Sequence, residues 1–144
     1  MSVSSSIDIQ TTSSDRSIAL FSIKALKEFG WMLNHNGAVF YLPLEDDDEF
    51  NWTSANMSDT DLNNILIQKD RLGELIGIAM TWHNTDIGGE FLFRASGLIS
   101  INLSINRKLT GSNLTDVNWY LEKIIPALHR GNIQIESISF SEHA

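Results

Sequence analysis

A chain of 144 residues with 42% hydrophobic and 9% aromatic side chains is long enough to close one core. It contains no cysteine, which excludes disulfides, a thiolate nucleophile and any Cys-ligated zinc or iron–sulfur centre. A formal charge of −8 repels a nucleic-acid backbone, whose binding depends on Lys and Arg displacing counterions, and attracts a basic partner.

Residues 1–14 carry no Lys or Arg and no continuous apolar run, so they lack the marks of a secretory signal, and no stretch approaches the roughly 20 apolar residues of a membrane helix. The expectation is a cytoplasmic, soluble protein in which residues 1–14 form a disordered tail, or an edge strand through Ile7 and Ile9. Residues 15–144 then form a single α+β domain. The four Asn-x-Ser/Thr sequons, at Asn51, Asn56, Asn102 and Asn113, follow from an Asn- and Ser-rich composition.

Ile18, Phe21, Ala25 and Phe29 fall at helical spacing, and Gly30 stands where a left-handed cap is wanted, which predicts a helix over 16–29. Residues 31–34 and 38–42 flank His35-Asn36-Gly37, a hairpin signature, and Pro43 ends the second strand. After a polar loop, Ser58 caps a helix over 59–72 with Leu62, Ile65, Leu66 and Leu72 inward and Asp59 and Asp61 in its first turn. Residues 75–83, 90–95 and 98–106 predict a three-stranded antiparallel meander; Ile99, Ile101, Leu103 and Ile105 alternate with polar residues, so one face is buried. Val117, Leu121, Ile124 and Leu128 form the stripe of a helix over 115–130, kinked or ended early by Pro126. A terminal strand over 133–140 changes apolar phase between Ile135 and Ile138, which predicts a bulge or burial on both faces. The fold class is therefore α+β, an antiparallel sheet of hairpin, meander and C-terminal strand packed on about three helices.

The sequence nominates one surface feature. Glu45, Asp46, Asp47, Asp48 and Glu49 are five consecutive acids followed by Phe50 and Trp52. Adjacent like charges oppose folding, so the cluster either serves a cationic partner, with the two aromatics as anchors, or is a solvated loop with Trp52 tucked into the core. The signals for chemistry are weaker. His35, His83, His129 and His143 are scattered, and His83-x-x-Asp86 is an isolated pair. Asp59, Asp61, Asn63 and Asp70 imitate a calcium loop, but Asn64 stands where its glycine belongs. Gly88-Gly89 joins strand to strand instead of opening a helix on a phosphate, and no serine lies in a nucleophile elbow. Asp86, Glu90 and Glu136 are the carboxylates left for a hydrolase. Arg94, Arg107 and Lys108 are too few for a nucleic-acid surface. No catalytic residue, metal or cofactor is expected.

Together, the acids and aromatics of 45–52, the α+β order and the missing catalytic motifs resemble the small acidic immunity proteins that bacteria pair with secreted toxins, including those of contact-dependent growth inhibition. The resemblance implies a protein that neutralises a basic toxin domain, typically a nuclease, by covering its active groove. The chain is also similar in size and charge to the acidic chaperones of type III secretion, though its terminal strand departs from their helical end. A nucleic-acid mimic that blocks a defence enzyme, for which the single acidic cluster lacks phosphate-like spacing, and a carboxylate-dependent hydrolase are the remaining alternatives.

Overall fold

The computed structural model describes residues 3–12, 17–35 and 37–143. In chain order the elements are β1 (Ser4–Thr11), α1 (Ile18–Phe29), β2 (Trp31–Met32), β3 (Asn34–His35), β4 (Ala38–Tyr41), β5 (Thr53–Ala55), α2 (Asp59–Arg71), β6 (Ile76–Trp82), β7 (Gly88–Phe93), β8 (Leu98–Ile105), α3 (Val117–Arg130) and β9 (Ile135–His143). The α+β class is as predicted. The strands form one sheet in the order β3-β4-β6-β7-β8-β1-β9, with β2 also on β6 and β5 also on β4, and every pairing is antiparallel.

The helices begin where their caps allow. Ser17, Ser58 and Asp116 accept backbone N–H bonds from Leu20, Asp61 and Trp119, each satisfying one donor that a first turn leaves open. Gly30 ends α1 at φ 137, a conformation that side-chain-bearing residues resist, and a Cβ there would lie 2.8 Å from the Trp82 ring. Pro126 sits inside α3 without ending it, so the early stop does not occur. Its buried stripe is Tyr120, Ile124, Ala127 and Leu128, turned from the expected one so that Val117 and Leu121 are only half-buried.

All three helices pack on one face of the sheet. Ala19, Ile23 and Leu26 of α1, Leu62 and Leu66 of α2 and Tyr120, Ile124 and Leu128 of α3 enclose Ile7, Ile9, Ile76, Ile78, Phe91, Phe93, Ile99 and Ile101. Trp31, 2% exposed, satisfies its indole by donating from Nε1 to the Lys123 carbonyl at 2.9 Å, and its ring meets Trp82 and Phe91 edge-on.

Four further expectations are corrected. The segment expected to be a tail or an edge strand contains β1, which lies inside the sheet between β8 and β9, with Ile7 and Ile9 fully buried; the rest of that stretch falls outside the described residues. Gly88 and Gly89 are not a turn but the start of β7. Leu72 caps α2 and is 66% exposed, while the inward position is taken by Lys69. The loop after Pro43 contains β5, which escaped notice because Thr53–Ala55 is too short for a pattern. Of the two causes expected for the phase change in the last strand, the bulge is the one found: Thr11 faces Ile135 while Gln10 faces Ser137, leaving Glu136 as the extra residue.

Candidate functional site

The face of the sheet opposite the helices is built by strand alternation. Val39 and Tyr41 point into the core, so Phe40 between them points outward; likewise Ile76, Ile78 and Met80 turn in, and Gly77, Ala79 and Thr81 turn out. Register places Met32 opposite Thr81, Phe40 opposite Ser54 and Leu92 opposite Gly77. The result is an apolar half, over β2, β4, β5 and β6, and a polar half in which Asp8, Ser100, Asn102 and Ser139 occupy the outward positions of β1, β8 and β9.

Residues 42–52 close part of the apolar half. Leu42, Leu75 and Leu92 are buried as a small second core, with Trp52 packed over them. Gly77 makes this possible, because a Cβ there would stand 2.6 Å from Leu42 Cδ1 and 3.1 Å from the Trp52 ring. Trp52 in turn stacks on Phe40, with centroids 5.7 Å apart. Beside the stack, a concavity of ≈ 260 Å³ is lined by Met32, Ala38, Phe40, Ser54, Ala79, Thr81, Asp86 and Ile105, among others. Met32, Phe40 and Phe50 are 45%, 40% and 45% exposed.

The five acids do not act alike. Asp46 is buried, and its carboxylate accepts the N–H groups of Phe50 and Asn51, each at 2.9 Å. It is the staple of the loop, not a contact surface. Glu45, Asp47, Asp48 and Glu49 are exposed around it, and the Glu45 N–H donates to Glu74 Oε1 at 2.9 Å. Glu45, Asp47, Asp48 and Phe50 all adopt left-handed φ between 55 and 61, uncommon for residues other than Gly, Asn and Asp, so the path of the loop is imposed by its fastenings. Lys69 is the second fastening. Its fully buried ammonium donates to the Leu42 carbonyl at 3.0 Å and the Pro43 carbonyl at 2.8 Å and lies 3.8 Å from Glu74. Burial lowers its pKa from 10.5, and the negative charges of Glu74, Asp46 and Asp48 oppose that shift.

Of the predicted site residues, the structure therefore gathers Glu45, Asp47, Asp48, Glu49 and Phe50 at the rim, Trp52 as a half-buried platform and Asp46 inside. Sequence reasoning missed Phe40 and Met32, although the alternation of 38–41 already placed Phe40 opposite to Val39 and Tyr41. It also missed Lys69, whose spacing from Leu62 and Leu66 puts it on their helical face.

Other groupings do not form. Glu90 accepts a bond from Ser104 on β8, while Glu136 lies on β9, three strand spacings from β7, about 14 Å away. Asp59, Asp61, Asn63 and Asp70 all lie in α2, where Asp59 pairs with Lys27 at 3.6 Å and Asp70 accepts from Ser17 Oγ at 2.7 Å. Among the described residues no group of three or more His, Asp or Glu side chains is placed to hold a metal. Trp82 and Trp119 share the Lys123 ammonium, 5.4 and 5.0 Å from their centroids, which puts both at the margin of the core.

Compared with known proteins, the chain matches no family model, no curated sequence and no solved structure. No described helix is long and apolar enough to cross a membrane.

Proposed function

We propose that this chain is an immunity protein, which binds a basic toxin domain through the helix-free face and blocks its active groove by occupancy. The observation that carries the reading is the juxtaposition of exposed apolar anchors, Phe40, Met32 and Phe50, with a rim of outward acids, Glu45, Asp47, Asp48 and Glu49. Anchors near the centre of a patch supply most of the affinity, and complementary rim charges speed encounter and reject wrong partners.

Charge distribution supports a cationic partner. On the other side of the sheet the helices carry Lys24, Lys27, Arg71, Lys123 and Arg130 against Glu28, Asp59, Asp61, Asp70 and Glu122, near balance, whereas Asp8, Asp86 and Glu90 add to the acids of the helix-free side. Arg94, at the end of β7, lines a cleft of ≈ 340 Å³ with Asp46, Asp47, Asp48 and Glu74, so its charge is spent among acids.

The test compares parallel pull-downs from native lysate with the unaltered protein and with a variant carrying Phe40→Ala, Asp47→Asn and Asp48→Asn. A basic toxin domain retained by the first and lost by the second supports the proposal. Identical recoveries, or no basic partner, would end it.

A further inference from the structure

The two ends of the sheet differ. At one, β3 and β5 are two and three residues long, too short to template another strand. At the other, β9 runs nine residues from Ile135 to His143, pairs with β1 along its inner side, and has no strand on its outer side among the described residues. Natural edges of this length are blunted by charged side chains, lysine above all, by proline, by a bulge or by a covering segment; this strand has no lysine or proline, and its glutamates and its bulge lie toward its ends, which leaves residues 137–141 without a charge.

Ile138 lies opposite Ile9 and Phe140 opposite Ile7. They share the helix-bearing face, yet Ile7 and Ile9 are fully buried while Ile138 and Phe140 are 44% and 39% exposed, because the helices stop short of the last strand. An apolar row thus continues past the end of the core.

The sequence of that strand is symmetric. Glu136-Ser137-Ile138-Ser139-Phe140-Ser141-Glu142 has the same residue class at equal distances on either side of Ser139. Antiparallel pairing keeps opposed side chains on one face. Two copies related by a two-fold axis through Ser139 would set Ile138 against the second copy's Phe140, twice, with Ser137 against Ser141. Aromatic–β-branched cross-strand pairs are among the more favourable. The outermost opposition, Glu136 with Glu142, is eased because Glu142 already pairs with Arg107, whose Nη1 sits 3.3 Å from Glu142 Oε1, which offsets part of its charge.

We propose that β9 is a self-association edge at which two copies of this chain pair antiparallel about Ser139. The axis stands perpendicular to the sheet, so the helices of both copies lie on one side and both helix-free faces on the other. The aromatic and acidic surface, five strand spacings away, stays open. This inference does not rest on the toxin-binding reading.

Sedimentation of the full chain across the micromolar range, with the variant Ile138→Lys/Phe140→Lys beside it, is the first half of the test. Dimers are expected, with the dimer dissociation constant raised at least tenfold in the variant. The second half exploits the absence of cysteine. Ser139→Cys places one thiol opposite its own copy and should cross-link on mild oxidation, whereas Ser137→Cys faces Ser141 and should not. A chain that stays monomeric across that range overturns the proposal. So does a dimer that tolerates the double lysine variant, or one in which Ser139→Cys cross-links no faster than Ser137→Cys.

Discussion

Phe40 and Trp52 lie with their ring planes 2° from parallel, one on β4 and the other at the end of the acidic loop. The pair ties a residue that the fold does not need outward to one that the fold does need inward, and substitutions should separate these roles. Phe40→Ala should change stability by no more than about 1 kcal/mol, since the ring is 40% exposed, yet weaken partner binding tenfold or more, about 1.4 kcal/mol. Trp52→Ala removes the cover of Leu42, Leu75 and Leu92 and should cost about 2–4 kcal/mol in stability. Denaturant titrations beside a binding isotherm read both effects.

The loop acids should divide in the same way. Asp46→Ala strands the N–H groups of Phe50 and Asn51 and should destabilise the protein by about 1–3 kcal/mol. Asp47→Asn with Asp48→Asn should leave stability within about 0.5 kcal/mol, slow association, and flatten its dependence on salt. Stopped-flow association at two ionic strengths tests this; equal rates for the paired Asn variant and the unaltered protein would remove the rim from the mechanism.

Lys69→Met keeps the stem in its apolar channel and removes the donor to the Leu42 and Pro43 carbonyls. The expected loss is about 1–3 kcal/mol from the two carbonyls left without it, partly offset by the buried charge no longer carried. Hydrogen exchange should show faster opening at residues 43–51 than in α1.

Glu142 sets an acid-sensitive point. Hydrogen bonds from Thr115 and Ser5, then the charge of Arg107, hold its pKa below the ordinary 4.5. A carboxylate that ionises more readily when folded adds stability above its unfolded pKa, and that contribution disappears as pH falls through the lower native value. Glu142→Gln should therefore lower Tm near neutral pH and shrink the drop in Tm on acidification from pH 5 to below pH 3. Thermal melts across that range decide it.

Much of the fold could be read from residue order. The meander of Ile76–Trp82, Gly88–Phe93 and Leu98–Ile105, and the caps at Ser58 and Gly30, follow from local pattern and turn chemistry. The interior place of β1 was hidden because Ser4–Thr11 looks too polar for a core strand: only Ile7 and Ile9 are apolar, Ser5 and Thr11 fill the other inward positions, and Ser4, Ser6, Asp8 and Gln10 alternate with them on the other face. The acidic cluster was visible, but its division was not. Asp46 turned inward because two backbone N–H groups needed an acceptor, and Lys69 was drawn beneath the loop by two carbonyls; both needs arise only after distant segments meet. The phase slip near Glu136 was legible because a bulge leaves its mark in the strand itself.

The division of labour within residues 45–52 bears on how such a surface changes over generations. Asp46, Lys69 and Gly77 fix the path of the loop, while Asp47, Asp48 and Glu49 display charge on it. Mutation can rewrite the displayed positions without disturbing the fastenings, so descendants of one ancestor could acquire different partners on an unchanged frame. Lineages that diverge with their targets should keep residues 46, 69 and 77 and vary most at 40 and 47–50.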